Sequence, residues 1–157
     1  MRAQATPAEL LDRLVADGAS LATAESLTGG LLGAAFTAVA GSSAAYRGGV
    51  VAYATDLKVS LLGVDAGLLA ERGPVDPEVA TAMALGVRQR CAASYGLAST
   101  GVAGPSTQQG APVGLVYLAV AGPAGTRVRE LHLGGNRAAV RTAAVHAALD
   151  LLAAVLG

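Results

Sequence analysis

Three short apolar runs in this chain each end in small polar residues or glycines. Ser20–Ala24 runs into Glu25-Ser26-Leu27-Thr28-Gly29-Gly30, Gly49–Tyr53 into Ala54-Thr55, and Leu97–Gly101 into Val102-Ala103-Gly104-Pro105. Runs this short, bounded by turn residues, read as buried strands. The segments around them have helical length and pattern, so strands and helices alternate, which points to an α/β fold.

Pro7–Ala16 reads as a helix with Leu10, Leu11 and Leu14 on one face and Gly18 past its end. Thr28–Val39 reads as a second, opened by Gly29-Gly30. Thr55–Leu62 reads as a third, with Thr55 as N-cap and Gly63 at its end, and a short helix over Ala66–Ala70 follows. Asp76–Ser94 is the longest of the central helices, with Asp76 as cap, Pro77 in first position and Gly96 closing it. Val113–Ala121 and Arg127–Leu133 read as strands joined by a GPAG turn, and Asn136 caps a last helix to about Val155. The order predicts one domain over 1–157, a three-layer α/β/α fold on a mixed, mostly parallel sheet. In open α/β sheets ligands bind beyond strand C-termini, so function is expected in the loops after 20–24, 49–53 and 97–101. Residues 104–112 form one loop, too long for a tight turn.

Composition narrows the function classes. Lys+Arg and Asp+Glu are each 11, so the net charge is zero, which speaks against a nucleic-acid binder driven by global positive charge. Aromatics make up 3% with no Trp, which disfavours base-stacking platforms. One cysteine, Cys91, gives no disulfide framework and no CxxC site, and it reads as an inert thiol. His132 and His146 lie on different elements without ligand spacing, so no metal site and no cofactor are expected. The N-terminus has no signal-peptide apolar region, and the apolar tail Ala138–Leu156 is interrupted by Arg141, His146 and Asp150. A cytoplasmic chain without a membrane partner is the expectation. Exposed apolar patches are expected in so aliphatic a chain.

Four blocks hold chemistry-bearing residues. In Ala24–Gly30 a strand runs into a helix with Ser26 at the junction, where backbone N–H groups of Thr28, Gly29 and Gly30 favour an anion. Ser26 or Thr28 as a simple helix cap is the plain alternative. In Tyr53–Lys58 a helix capped by Thr55 puts Lys58, the one lysine of the chain, in its first turn. The helix dipole there lowers a lysine pKa, and a depressed lysine serves as base to a serine. The alternative is a solvated Lys58 paired with Asp56 or Asp65. Ser99–Pro105 is a glycine turn able to present N–H groups to phosphate, or an ordinary loop. Arg137 and Arg141 stand four apart at a helix start, either as a clamp for phosphate or carboxylate or as a solvated face.

Together the blocks AESLTGG (24–30), AGSSAAYRGGVVAY (40–53), Lys58, LLGV (61–64), STGVAGP (99–105), PVG (112–114) and GNRAAVR (135–141) resemble the C-terminal domain family of the competence/damage-inducible protein CinA, which includes the PncC-type nicotinamide-nucleotide amidohydrolases. The resemblance runs from about Leu10 to Leu156. It implies an α/β/α domain that hydrolyses the carboxamide of nicotinamide mononucleotide to nicotinate mononucleotide and ammonia by a metal-free Ser/Lys mechanism. It places the nucleophile on Ser26 and the lysine on Lys58, with Tyr53 assisting. It places substrate contacts on Thr28, Gly29, Gly30, Thr100, Gly101, Gly104 and Arg137. It also implies self-association.

Two positions depart from the family pattern: Ser106 and Asn136 stand where members commonly carry an acid. They motivate a rival reading, a pyridine-nucleotide-binding or assembly module without turnover, and an amidase for a different amide is a third.

Overall fold

Large and small side chains alternate along the central strands, and the two-residue period of a strand sends them to opposite faces. Leu21, Leu97, Val116, Leu118 and Val120 enter one core, whereas Ala22, Ala24, Ala98, Ala119 and Ala121 enter the other. The computed structural model describes residues 3–157. In chain order it holds α1 (Pro7–Ala16), β1 (Leu21–Glu25), α2 (Leu31–Thr37), a 3-10 turn (Ser42–Ala44), β2 (Tyr46–Val51), α3 (Thr55–Leu62), α4 (Ala66–Arg72), α5 (Pro77–Arg90), β3 (Tyr95–Gly101), β4 (Leu115–Gly122), β5 (Gly125–His132) and α6 (Arg137–Leu156).

The five strands form one sheet in the order β2-β1-β3-β4-β5. β1 pairs in parallel with β2 and β3, and β4 pairs antiparallel with β3 and β5. Only β4 runs against the other strands, so the sheet is mixed and mostly parallel in strand direction. α1, α2 and α6 cover the Leu/Val face, and α3, α4 and α5 cover the alanine face, which makes three layers.

The alanine face lets α5 approach the sheet closely. Gly96 of β3 lies where a Cβ would collide with the Ala84 carbonyl oxygen of α5. Gly86 of α5 lies where a Cβ would collide with the Leu62 carbonyl oxygen of α3. These glycines are needed for close approach of main chain to main chain.

Several boundaries differ from the sequence pattern for local reasons. α2 begins at Leu31 rather than Thr28, because residues 26–30 are spent on a sharp turn. β2 covers Tyr46–Val51 rather than Gly49–Tyr53, since its register with β1 matches Leu21 to Tyr46 and Glu25 to Val51. α5 stops at Arg90 rather than Ser94, because Ala92 takes a left-handed conformation with φ 50°. α3 is capped by Ala54 without a side-chain bond, so Thr55 is its first helical residue and not its cap. α6 is long and apolar enough by length and composition to cross a membrane. Here its Val140, Ala144, Ala148, Leu149, Leu151 and Leu152 are buried in the core between the sheet and α1.

Candidate active site

β1 ends at Glu25, and the chain turns through Ser26–Gly30 before α2 begins. The Gly29 N–H donates to the Ser26 carbonyl at 3.0 Å and the Leu31 N–H to the Thr28 carbonyl at 2.9 Å. Gly29 and Gly30 have φ of 54° and 106°, a left-handed backbone that glycine adopts without penalty. Gly30 is the N-cap of α2 and brings no side chain to it. Glu25 supplies the cap from the end of the strand. Its Oε1 accepts the Leu32 N–H at 2.8 Å and its Oε2 accepts the Gly33 N–H at 3.1 Å. A carboxylate there satisfies two orphan donors and suits the positive end of the helix dipole. Neither Ser26 nor Thr28 caps the helix. The Thr28 hydroxyl is bonded instead to the Ser99 hydroxyl of β3 at 2.7 Å, and both side chains are buried.

The second junction, β2 to α3, delivers the lysine. Lys58 is 1% exposed and points inward from the first turn of α3. Its Nζ donates to the Ser26 Oγ at 3.0 Å, the Ala52 carbonyl at 2.7 Å and the Tyr53 carbonyl at 3.4 Å. Among the described residues no carboxylate lies within salt-bridge distance of it, so pairing with Asp56 or Asp65 is absent. Burial pushes its pKa down from 10.5 to about 8. Desolvation of the ammonium, rather than the helix dipole expected from the sequence, is the cause. A neutral amine at this position has two N–H groups for the two carbonyls and a lone pair for the serine hydroxyl.

Ser26 opens onto a cleft of about 410 Å³, also lined by Tyr53, Thr100, Gly101, Gly104, the 105–108 loop and Arg137. Thr100 donates its hydroxyl to the Pro74 carbonyl at 2.6 Å, which ties β3 to the connection between α4 and α5. Gly101 is pressed against β4: a Cβ there would lie 2.7 Å from the Leu115 carbonyl oxygen. Gly104 has φ 90° and precedes a cis bond to Pro105. Among the described residues lining the cleft, Arg137 alone is charged. It donates to the Gly104 carbonyl at 2.7 Å and to the Tyr53 hydroxyl at 3.1 Å. These acceptors are neutral, so its charge is available to an anion.

The structure thus brings Ser26, Lys58, Tyr53, Thr100, Gly101, Gly104 and Arg137 together. Tyr53 contributes differently from the expectation. Its side chain is 60% exposed with its hydroxyl on Arg137, and its main-chain carbonyl is what reaches Lys58. Thr28, Gly29 and Gly30 form the turn behind Ser26 and do not line the cleft. Arg141 separates from Arg137, and bonds the Leu27 and Thr28 carbonyls at 2.9 and 3.4 Å. Among the described residues no three of His, Cys, Asp or Glu stand together as metal ligands do.

Sequence reasoning missed Glu25, Ser99 and the Ala52 carbonyl. The sequence pattern ends this strand at Ala24, so the one available signal for Glu25 is an acid directly after a buried strand. The arrangement suits nucleophilic catalysis, with a hydroxyl and a low-pKa amine at hydrogen-bond distance on the floor of a cleft.

The comparisons agree with this fold. The chain matches the CinA C-terminal domain over residues 3–156. It is 54% identical over 147 residues to a CinA-like protein of Frankia casuarinae, covering 94% of this chain and 34% of that protein. It is 53% identical over 143 residues to a CinA-like protein of Gloeobacter violaceus, covering 88% of this chain and 33% of that protein. The chain therefore spans about a third of the length of these curated relatives. Among solved structures, the competence/damage inducible protein CihA from Agrobacterium tumefaciens superposes with a TM-score of 0.89 at 38% identity, covering 100% of both chains. A CinA superfamily protein from Escherichia coli superposes at 0.93 with 33% identity, covering 95% of this chain and 87% of that one. With the fold, the ordered blocks and these matches in agreement, the chain belongs to the CinA C-terminal domain family.

Proposed function

We propose that this chain hydrolyses the carboxamide of nicotinamide mononucleotide to nicotinate mononucleotide and ammonia, with Ser26 as nucleophile and Lys58 as general base. The observation that carries the reading is the 3.0 Å contact between Lys58 Nζ and Ser26 Oγ, made by a buried lysine without a carboxylate partner at the floor of a cleft.

Neutral Lys58 takes the Ser26 proton as Oγ attacks the carboxamide carbon, and the C=O electron pair moves to oxygen. Lys58, now an ammonium, gives that proton to the amide nitrogen as the C–N bond breaks, and ammonia leaves. Water then attacks the acyl ester and gives a proton to Lys58. The ester C–O bond breaks, Ser26 is re-protonated by Lys58, and nicotinate mononucleotide departs. Arg137, 2.7 Å from the Gly104 carbonyl at the rim, is the cation for the 5′-phosphate. The turn after Ser26 supplies N–H donors for the oxyanion, and a donor of this kind is worth about 3–4 kcal/mol elsewhere.

With the Lys58 pKa at about 8, kcat/KM is expected to rise about tenfold per pH unit below pH 8 and to level off above it. Ammonia release from nicotinamide mononucleotide, measured beside Ser26→Ala, tests the whole reading. Turnover lost in the variant supports it, and turnover that survives removes Ser26. Binding of the nucleotide without ammonia from either protein favours a binding module. Nicotinamide and nicotinamide riboside, run in parallel, test the phosphate contact and expose an amidase for a different amide. A cytoplasmic setting belongs to the same proposal, since a phosphorylated nucleotide does not cross a bilayer unaided. Self-association belongs to it as well, with exposed Leu31, Val51, Leu57 and Leu61 as the apolar surface, and a monomer in light scattering would remove it.

A further inference from the structure

The turn that carries Ser26 has two ends of opposite polarity, as the first turn of a helix does. Its carbonyls face Arg141 of α6. That half-buried side chain donates Nε to the Leu27 carbonyl at 2.9 Å and an Nη to the Thr28 carbonyl at 3.4 Å. Its N–H groups are divided. Gly29 N–H is used by the Ser26 carbonyl, whereas the Leu27 and Thr28 N–H groups have no hydrogen-bond acceptor among the described residues. Both residues are nearly or fully buried, at 3% and 0% exposed. A buried N–H without an acceptor is costly, and of these two residues Leu27 lines the cleft next to Ser26 whereas Thr28 lies behind it. The N-terminus of α2 is not the donor, because the Glu25 carboxylate already occupies it.

We infer that Arg141 is a positioning residue that holds the Ser26–Gly29 turn by its carbonyls and so fixes the Leu27 N–H, at the cleft wall beside Ser26, for the developing oxyanion. The inference rests on Ser26 being the nucleophile proposed above. A peptide plane ties each carbonyl to the N–H that follows it, so the Leu27 N–H turns with the Ser26 carbonyl. That carbonyl is held by the Gly29 N–H, and Arg141 pins the two carbonyls that follow, so the turn keeps the orientation of that plane. Arg141 is suited to this as lysine is not, since its planar fork meets two acceptors at once. The pair read together from the sequence thus divides its work: Arg137 faces the cleft, and Arg141 faces the back of the turn.

The test is phosphonylation of Ser26 by a fluorophosphonate, located by peptide mass analysis, with nicotinamide mononucleotide turnover measured in parallel. The Oγ–P bond forms, the P–F bond breaks, fluoride leaves and the serine proton passes to Lys58, while the phosphoryl oxygen takes the Leu27 N–H. Arg141→Met is expected to slow labelling about 10- to 100-fold and to lower kcat by a similar factor, with KM within about threefold of the parent, because a misplaced donor costs rate rather than binding. Arg141→Lys, which keeps the charge without the fork, is expected to recover part of the loss. The preference for the mononucleotide over the riboside is expected to persist in both, whereas Arg137→Met abolishes it.

Parental labelling and kcat in a well-folded Arg141→Met protein would make the residue merely structural and overturn the inference. A raised KM with loss of the phosphate preference would make Arg141 a ligand contact and overturn it equally. Should Arg141→Met not fold, Arg141→Lys decides, and a parental labelling rate there overturns the inference. A parent labelled at Ser26 that does not hydrolyse the mononucleotide removes the proposed substrate, while the labelling ratio still decides the role of Arg141. A parent not labelled at Ser26 overturns both.

Discussion

The two strand–helix junctions that meet at the site treat buried charge in opposite ways. At β1–α2 a carboxylate, Glu25, sits at a helix N-terminus and accepts two backbone N–H groups. Sign, geometry and hydrogen bonding all agree there. At β2–α3 a cation, Lys58, sits in a first helical turn, where the dipole disfavours it, and only neutral oxygens meet it. The first junction gains stability from its charge, and the second keeps a charge whose burial is costly. Local rules are obeyed where the frame is held and broken where the chemistry is proposed, a pattern expected of functional sites.

The contrast is broken most severely at Lys58. Lys58→Arg and Lys58→Ala are both expected to lower kcat by about 10³-fold or more, because arginine does not give up its proton at working pH. Steady-state ammonia release checks this, and an active Lys58→Arg protein would remove lysine as the base.

The next effect is on stability. The folded pKa of Lys58 lies at about 8, below its ordinary 10.5. Below pH 8 both folded and unfolded chains carry the proton, and the fold bears the full cost of burying it. Between pH 8 and 10.5 the unfolded chain binds more protons, so stability rises with pH and then levels off. The rise is up to about 3 kcal/mol. Urea unfolding of the parent beside Lys58→Met isolates it, because groups common to both cancel. A difference that stays flat across that range would mean the ammonium is not buried at a cost.

Glu25→Gln sharpens the other half of the comparison. It keeps an acceptor for α2 but loses the charge, and is expected to cost about 1–2 kcal/mol, or roughly 2–8 °C in Tm. An unchanged melting temperature would show that the helix does not depend on the carboxylate. The smallest expected effect is at Thr28→Val, which removes the partner of the buried Ser99 hydroxyl. A loss of about 1 kcal/mol in chemical denaturation is expected, and no loss would mean that water replaces the bond.

What the sequence made legible follows from the range of each interaction. The helices α1 and α6 are announced by local signals, with Pro7 and Leu10, Leu11 and Leu14 in one and the Asn136 cap in the other. Ser26 and Lys58 were reachable because each sits at a strand–helix junction, where α/β folds gather function. The Glu25 cap was not reachable by the usual offset, since its acceptor atoms meet N–H groups seven and eight residues on, across a turn. Nothing local joins Thr28 to Ser99 or Thr100 to Pro74; these bonds exist only once the sheet order is set. The same holds for the arginines. Four residues apart on a helix they read as one clamp or as one solvated face, but the turn of the helix aims one into the cleft and the other behind it.

The glycine contacts at α5 bear on how such a chain drifts in evolution. The Leu62 carbonyl, four residues beyond Lys58, is set against Gly86, and the Ala84 carbonyl is set against Gly96 at the root of β3. The spacing from the lysine helix to the central strand is thereby fixed by main-chain atoms, which every sequence shares. Leucines and valines on the other face can be exchanged without altering that spacing, provided the two glycines stay. Variation among descendants is then expected to crowd into the α1, α2 and α6 layer, while Gly86 and Gly96 acquire side chains only at the cost of the serine–lysine distance.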